Sequence, residues 1–212
     1  MARKEAFDAI SGVLPGIWNV PGSIDLMDDL VDLWERAQGP EDSDDFKAAI
    51  VKHLRFEEGV RPRAYKDHLG YWTIGVGRLI DSVKGGRITA EEDAILMRND
   101  PSRIGRPWRT YVLTDDEINM LLENDIERMT GAIRNWPAWR AVGDNVARKV
   151  ALTSMAFQLG VSGLAEFVNT LGMVEKGWFS PAADNMLKSK WAKQTPERAE
   201  RIAEMMRTGR IA

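Results

Sequence analysis

The chain of 212 residues has no cysteine, which excludes disulfides and thiolate metal sites from the start. Histidine is scarce. His53 and His68 have no partners at a recognisable metal-ligand spacing, so no metal or other cofactor is implied. The first reads as an exposed helix residue and the second as a hairpin-tip residue. No apolar run approaches the roughly 20 residues that a membrane-spanning helix needs, and no membrane span is expected. The stretch from Met1 to Trp18 also makes a poor export signal, because Glu5 and Asp8 interrupt its basic start and Gly12, Pro15 and Gly16 break its apolar part. No signal peptide is expected.

Charge is present in quantity but is unevenly distributed. Residues 1–46 carry three basic residues against eleven acidic ones, a balance of −8. The remainder carries 26 basic and 21 acidic residues, a balance of +5, so the overall −3 hides an acidic extension joined to a basic region. A basic surface suits an anionic polymer. Within the extension, Ser23 can cap a helix whose apolar stripe is Ile24, Met27, Val31 and Trp34, with Gly39-Pro40 ending it. Such a helix either packs on the back of the same chain or docks through its stripe onto another protein.

The stretch from Leu54 to Leu79 organises the rest. Ser43 can cap a helix with Asp44 and Asp45 in its first turn and Phe46, Ile50 and Leu54 at helical spacing. Gly59 offers a stop and Pro62 opposes continuation, so Glu57 and Glu58 fall in the last turn. Lys66 to Gly70 then reads as a hairpin tip, followed by the strand formers Tyr71, Trp72, Thr73, Ile74 and Val76. Two antiparallel strands bring Asp67 and Thr73 into one neighbourhood, and a hairpin packed on the helix end would turn both toward Glu58. Taken alone, two glutamates at a helix end and an aspartate in a turn are more often a solvated face and turn chemistry.

Glu58, Asp67 and Thr73, with Gly59, Tyr65, Lys66, Gly70, Tyr71, Ile74, Gly75, Gly77 and Leu79 around them, resemble the active-site stretch of the bacteriophage T4-type lysozymes, the muramidases of glycoside hydrolase family 24. Met155-Ala156-Phe157-Gln158-Leu159-Gly160 is similar to a later segment of that family, as is the ending from Trp191 to Ala199 with Arg207-Thr208-Gly209. The three motifs stand in the family's order and span about Lys47 to Gly209. The resemblance implies an α+β, mainly α, two-lobed lysozyme fold: a small β-hairpin lobe, a long connecting helix and a helical C-terminal lobe. Residues 47–212 would form the lysozyme domain and residues 1–46 the acidic N-terminal extension.

The implied activity is hydrolysis of the β-1,4 bond between N-acetylmuramic acid and N-acetylglucosamine in peptidoglycan. By resemblance Glu58 is the acid, while Asp67 and Thr73 hold the attacking water on the opposite sugar face, which gives inversion. Leu79, Phe157, Thr170 and Asn185 fall at substrate-contact positions, with Gln194 and Arg198 supporting them. Arg198 is expected against Glu58. Glu57 reads as an exposed neighbour. Arg78 stands where the family commonly has histidine and Asp125 where it has that residue's aspartate partner, so an Arg78–Asp125 ion pair is expected.

Elsewhere the pattern is helical. Thr114 to Glu117 is a capping box that opens a long helix ending before Pro137. Val146 to Leu159 is apolar nearly all round, as a central buried helix would be. Thr195 can cap a final helix with Pro196 at its first position. Arg103 to Arg109, with Trp108, reads as a solvated loop able to touch glycan. The reading is therefore a phage muramidase, either a free endolysin held in the host cytoplasm until release to the periplasm or a lysozyme carried on the virion. In the second setting residues 1–46 would dock on a phage tail or baseplate protein. The rival is a catalytically silent wall-binding or structural virion module; no nucleic-acid partner is implied.

Overall fold

The structure is a computed structural model that describes residues 43–211. The helix expected after Ser23 lies outside the described residues. Helix α1 (Asp44–Glu58) starts where the Ser43 hydroxyl accepts the Phe46 N–H at 3.3 Å and ends at Gly59, whose φ of 72° favours glycine. Its apolar stripe, Phe46, Ile50 and Leu54, is fully buried.

Strands β1 (Arg61–Lys66), β2 (Trp72–Gly75) and β3 (Arg78–Leu79) form an antiparallel sheet in that order. The sequence suggested two strands. The third exists because Val76-Gly77 makes a tight reversal, with positive φ at Gly75 (66°) and Gly77 (67°). The register sets Tyr65 opposite Thr73 and Thr73 opposite Leu79, so these three residues line one face. Lys66 and Trp72 pair on the other face, which Ile80 extends by donating its N–H to the Trp72 carbonyl at 2.8 Å.

Helices α2 (Ala90–Asn99) and α3 (Asp115–Ile133) each open with a complete capping box, Thr89 with Glu92 and Thr114 with Glu117. Along α3, Ile118, Leu121, Leu122, Ile126 and Ile133 are buried, and the helix contacts β2 and β3 as well as the helical part of the chain. The rest comprises α4 (Pro137–Ala141), α5 (Val146–Ala165), α6 (Val168–Glu175), α7 (Phe179–Leu187), α8 (Lys190–Gln194) and α9 (Pro196–Thr208). As its composition required, α5 is central: Val150, Ala151, Met155 and Ala156 are fully buried, and α1, α3 and α9 pack around it. The chain breaks at Gly160 (φ 75°, ψ 161°). The fold is therefore α+β and mainly α, as the sequence suggested.

Two local expectations fail. The Thr195 hydroxyl does not cap α9; it donates to the Trp191 carbonyl at 3.3 Å, and Pro196, which has no N–H to satisfy, starts the helix. Arg103 is not part of a solvated loop. It is 5% exposed and donates to both Glu117 carboxylate oxygens, at 2.7 and 3.0 Å, and to the Leu96 and Val112 carbonyls. Among the described residues no single helix is long and apolar enough to cross a membrane.

Candidate active site

Glu58 sits at the C-terminus of α1, where the helix's own partial negative charge opposes a carboxylate. The opposing group is Arg198, in the first turn of α9, whose Nη1 donates to Glu58 Oε1 at 2.6 Å. Arg198 is buried, and its Nη2 donates to both the carbonyl and the hydroxyl of Ser154 on α5, at 3.3 and 3.1 Å. Three helices thus fix one carboxylate. The Ser154 hydroxyl in turn lies 2.9 Å from His53 Nε2. Because an arginine only donates, the Ser154 proton is free for the histidine, which then accepts as the neutral ring.

His53 is therefore not the surface residue its helical position suggested. Burial holds its pKa down to about 4; Glu57 opposes the shift, while Arg198 and Arg201 reinforce it. With the folded value below the unfolded one of 6.5, the unfolded chain binds the extra proton between the two. Stability contributed by the neutral ring is present above pH 6.5 and is lost as pH falls toward 4. The melting temperature is expected to rise across pH 4.5–6.5, above the range where carboxylates titrate, and His53→Gln should flatten that rise. An unchanged slope in the variant, followed by calorimetry, would remove the assignment.

Glu57 also departs from expectation. Its side chain is 5% exposed and forms a two-pronged pair with Arg201 on α9, at 2.8 and 2.9 Å. Burial pushes its carboxyl up, but the hydrogen bond and charge of Arg201 prevail, and the net shift is downward. The two adjacent glutamates are thus both held by α9, Glu58 by Arg198 and Glu57 by Arg201.

On the sheet side, a Cβ placed on Gly77 would lie 3.6 Å from Glu58 Oε2 and 3.7 Å from the Phe157 ring, so bare backbone meets the carboxylate there. Asp67 is fixed by its turn: its Oδ1 accepts the N–H groups of Leu69 and Tyr71, both at 2.9 Å. Thr73 is buried, its hydroxyl donating to the Tyr71 carbonyl at 3.3 Å. Tyr65, opposite Thr73, registers both acids. Burial raises its hydroxyl pKa, Arg61 opposes, and Glu58 and Asp67 add to the rise. The two carboxylates therefore act on one phenol.

The other expected residues fall into two groups. Leu79 and Phe157 line a cavity of 310 Å³ with Gly77, Arg87, Asp125 and Arg128. Asn185 and Gln194 line another of 470 Å³ in the helical part, beside Phe167 and Trp191. Thr170 is 1% exposed, and its hydroxyl accepts the Asn185 amide at 2.7 Å. Of the two, Asn185 borders the cavity and the buried Thr170 holds its amide.

The expected ion pair is present: Arg78 Nη1 meets Asp125 Oδ1 at 2.5 Å. The sequence did not reveal its second acid, Glu92, 2.7 Å from Arg78 Nη2, nor Arg128, which pairs with Asp125. Arg78 Nε also donates to the Arg87 carbonyl at 3.0 Å, which ties the 85–89 loop to the cavity wall. Within that loop Gly86 has no room for a side chain, since a Cβ would stand 2.6 Å from Leu79 Cγ and 2.7 Å from the Asp81 nitrogen. Ser154 was also missed. Its one signal was a pair of hydroxyl residues, Thr153 and Ser154, inside an otherwise apolar helix. Among the described residues, no group of three acids or histidines is placed to hold a metal.

The Phage lysozyme family model matches residues 55–204. The chain is 31% identical over 168 residues to the Dictyostelium discoideum protein named Probable T4-type lysozyme 1, covering 77% of this chain and 96% of that one. Probable T4-type lysozyme 2 of the same organism is 30% identical over 171 residues, with the same coverages. The Pre-baseplate central spike protein Gp5 of Enterobacteria phage T4 is 34% identical over 168 residues, a match that spans 77% of this chain and 28% of that protein.

Proposed function

The chain belongs to the phage lysozyme family and is a glycoside hydrolase with a muramidase-type function; from that premise we propose that it cleaves the β-1,4 bond from N-acetylmuramic acid to N-acetylglucosamine in peptidoglycan, with inversion. Glu58 donates the proton to the leaving oxygen. Asp67 and Thr73 hold the water that attacks from the other sugar face. Leu79, Phe157 and Asn185 contact the glycan, with Thr170 behind Asn185 and Gln194 beside it on the cavity wall. Arg198 fixes the rotamer of the acid. One observation carries the reading: Glu58 is clamped by Arg198 at 2.6 Å on one side and faces the side-chain-free backbone of Gly77 on the other. A buried arginine spent on holding one partly open carboxylate is what a positioned proton donor requires. The test is product analysis of digested sacculi. Muramic acid at the new reducing ends, released first as the α-anomer, is the expected outcome; N-acetylglucosamine ends or the β-anomer would overturn bond specificity or inversion respectively.

The setting we propose is virion association through the acidic extension. Its balance of −8 beside a region of +5, and the similarity of the rest to part of a baseplate spike protein, support this over a free endolysin. A deletion should stop at residue 42, because Ser43 caps α1 and Phe46 is fully buried. The shortened chain is expected to keep hydrolysis and to lose co-sedimentation with particles; full-length protein found wholly soluble after lysis would refute the placement.

A further inference from the structure

We propose a second carbohydrate site on the small sheet, on the face turned away from Tyr65, Thr73 and Leu79, which holds a peptidoglycan strand without cutting it. The proposal rests on the substrate class argued above. A cavity of 280 Å³ lies there, lined by Trp72, Ile80, Asp81, Pro107, Trp108 and Arg109. Successive strand residues point to opposite faces, so Trp72 and Ile80 look away from the row that contains Thr73. Trp72 and Trp108 are only partly buried, each packed on the core yet bordering the cavity. Flat indole and prolyl surfaces around a groove are what the C–H faces of pyranose rings pack against.

The rim is built. Asp81 Oδ2 accepts the Trp72 N–H at 3.2 Å and its Oδ1 the Val83 N–H at 3.1 Å, so the carboxylate is fixed in place and each oxygen keeps a second lone pair for a sugar hydroxyl. The remaining charges are cationic. Arg109 is exposed and has no acidic partner among the described residues, and Lys66 lies 5.6 Å from the Trp72 ring centre. Cations set beside aromatic rings suit a sugar polymer that carries carboxylates, as the lactyl and peptide groups of peptidoglycan do. The site is separate from the 310 Å³ cavity, with which it shares no lining residue. A strand held here keeps the enzyme on the insoluble wall between cleavages.

The experiment places Trp108→Ala and Arg109→Gln, singly and together, in the full chain. Binding to purified sacculi is measured by sedimentation in the Glu58→Gln background, so it does not depend on cleavage. Hydrolysis is measured in the active background, on sacculi and on a soluble tetrasaccharide of alternating N-acetylglucosamine and N-acetylmuramic acid. The double variant is expected to bind sacculi about tenfold more weakly, to clear them more slowly and to cut the tetrasaccharide at the parent rate. Arg109→Gln changes an exposed side chain and must show part of the loss with an unchanged melting temperature. Unchanged sacculus binding overturns the proposal, as does an equal fall on the tetrasaccharide, or competition by single-stranded DNA as effective as by soluble glycan. If the parent enzyme cuts neither substrate, the muramidase reading fails, while the binding comparison still decides this site.

Discussion

Replacing Glu58 by glutamine is expected to lower peptidoglycan hydrolysis by about 10³-fold, within the range that a positioned general acid contributes, with the fold preserved. The amide oxygen can still accept the Arg198 hydrogen bond now made at 2.6 Å, but the amide has no proton to give a leaving alkoxide. The neighbouring Glu57 supplies the control. It is bound two-pronged to Arg201 and nearly closed to solvent. Glu57→Gln should leave turnover unchanged and cost about 1 kcal/mol of stability through the weakened ion pair. Two adjacent glutamates at one helix end would thereby separate, one carrying activity and the other packing. Turbidity clearing and thermal melting on both variants decide it: more than about a tenth of wild-type rate in Glu58→Gln is incompatible with general-acid catalysis by that residue.

What could be read from the chain, and what could not, divides along local and non-local lines. The Ser43 cap, the Phe46-Ile50-Leu54 stripe, the Gly59 stop and the Thr114 capping box act within a few residues, so their signals lie in contiguous sequence. The family resemblance carried the longer links, from Glu58 to Arg198 and from Arg78 to Asp125. Misreadings arose where a polar residue on a plausible surface meets a distant element. His53 and Glu57 look exposed on α1 until Ser154 of α5 and Arg201 of α9 come against them. Arg103, in a loop rich in arginine and proline, gives no local sign that Glu117 and two carbonyls will surround it. Glu92 completes the Thr89 capping box, and the same oxygen also takes Arg78, which that local motif does not signal. One carboxylate can serve two partners, and sequence pattern reports only the nearer.

Arg78→Met is expected to be the most destabilising single change near the cleft, at about 3–5 kcal/mol, the cost of removing one member of a buried ion pair. Arg78, Glu92 and Asp125 are all below 10% exposed, and among the described residues Arg128 is the one remaining cation paired with the two acids. Without Arg78, two buried carboxylates share a guanidinium that is half in solvent. For a domain of this size the loss corresponds to a fall in melting temperature of about 10 °C. The effect has a pH signature with a definite sign. Burial raises the Glu92 pKa, but the Thr89 N–H, the Asn124 amide, Arg78 and Arg128 outweigh it, so Glu92 is held below its ordinary 4.5. A carboxyl depressed in the folded state stabilises above its unfolded pKa and loses that contribution as pH falls through its folded one. The gap between wild type and Arg78→Met should therefore be full at neutral pH and narrow below pH 4.5, as Glu92 takes up its proton. Adding Asp125→Leu should restore part of the loss, because one of the two stranded carboxylates is then gone and Arg128 is left to pair with Glu92 alone. A gap constant from pH 7 to pH 3, or a double variant that loses the full sum of the two single effects, would show that Arg78 acts by packing its side chain against the cleft wall and not by charge.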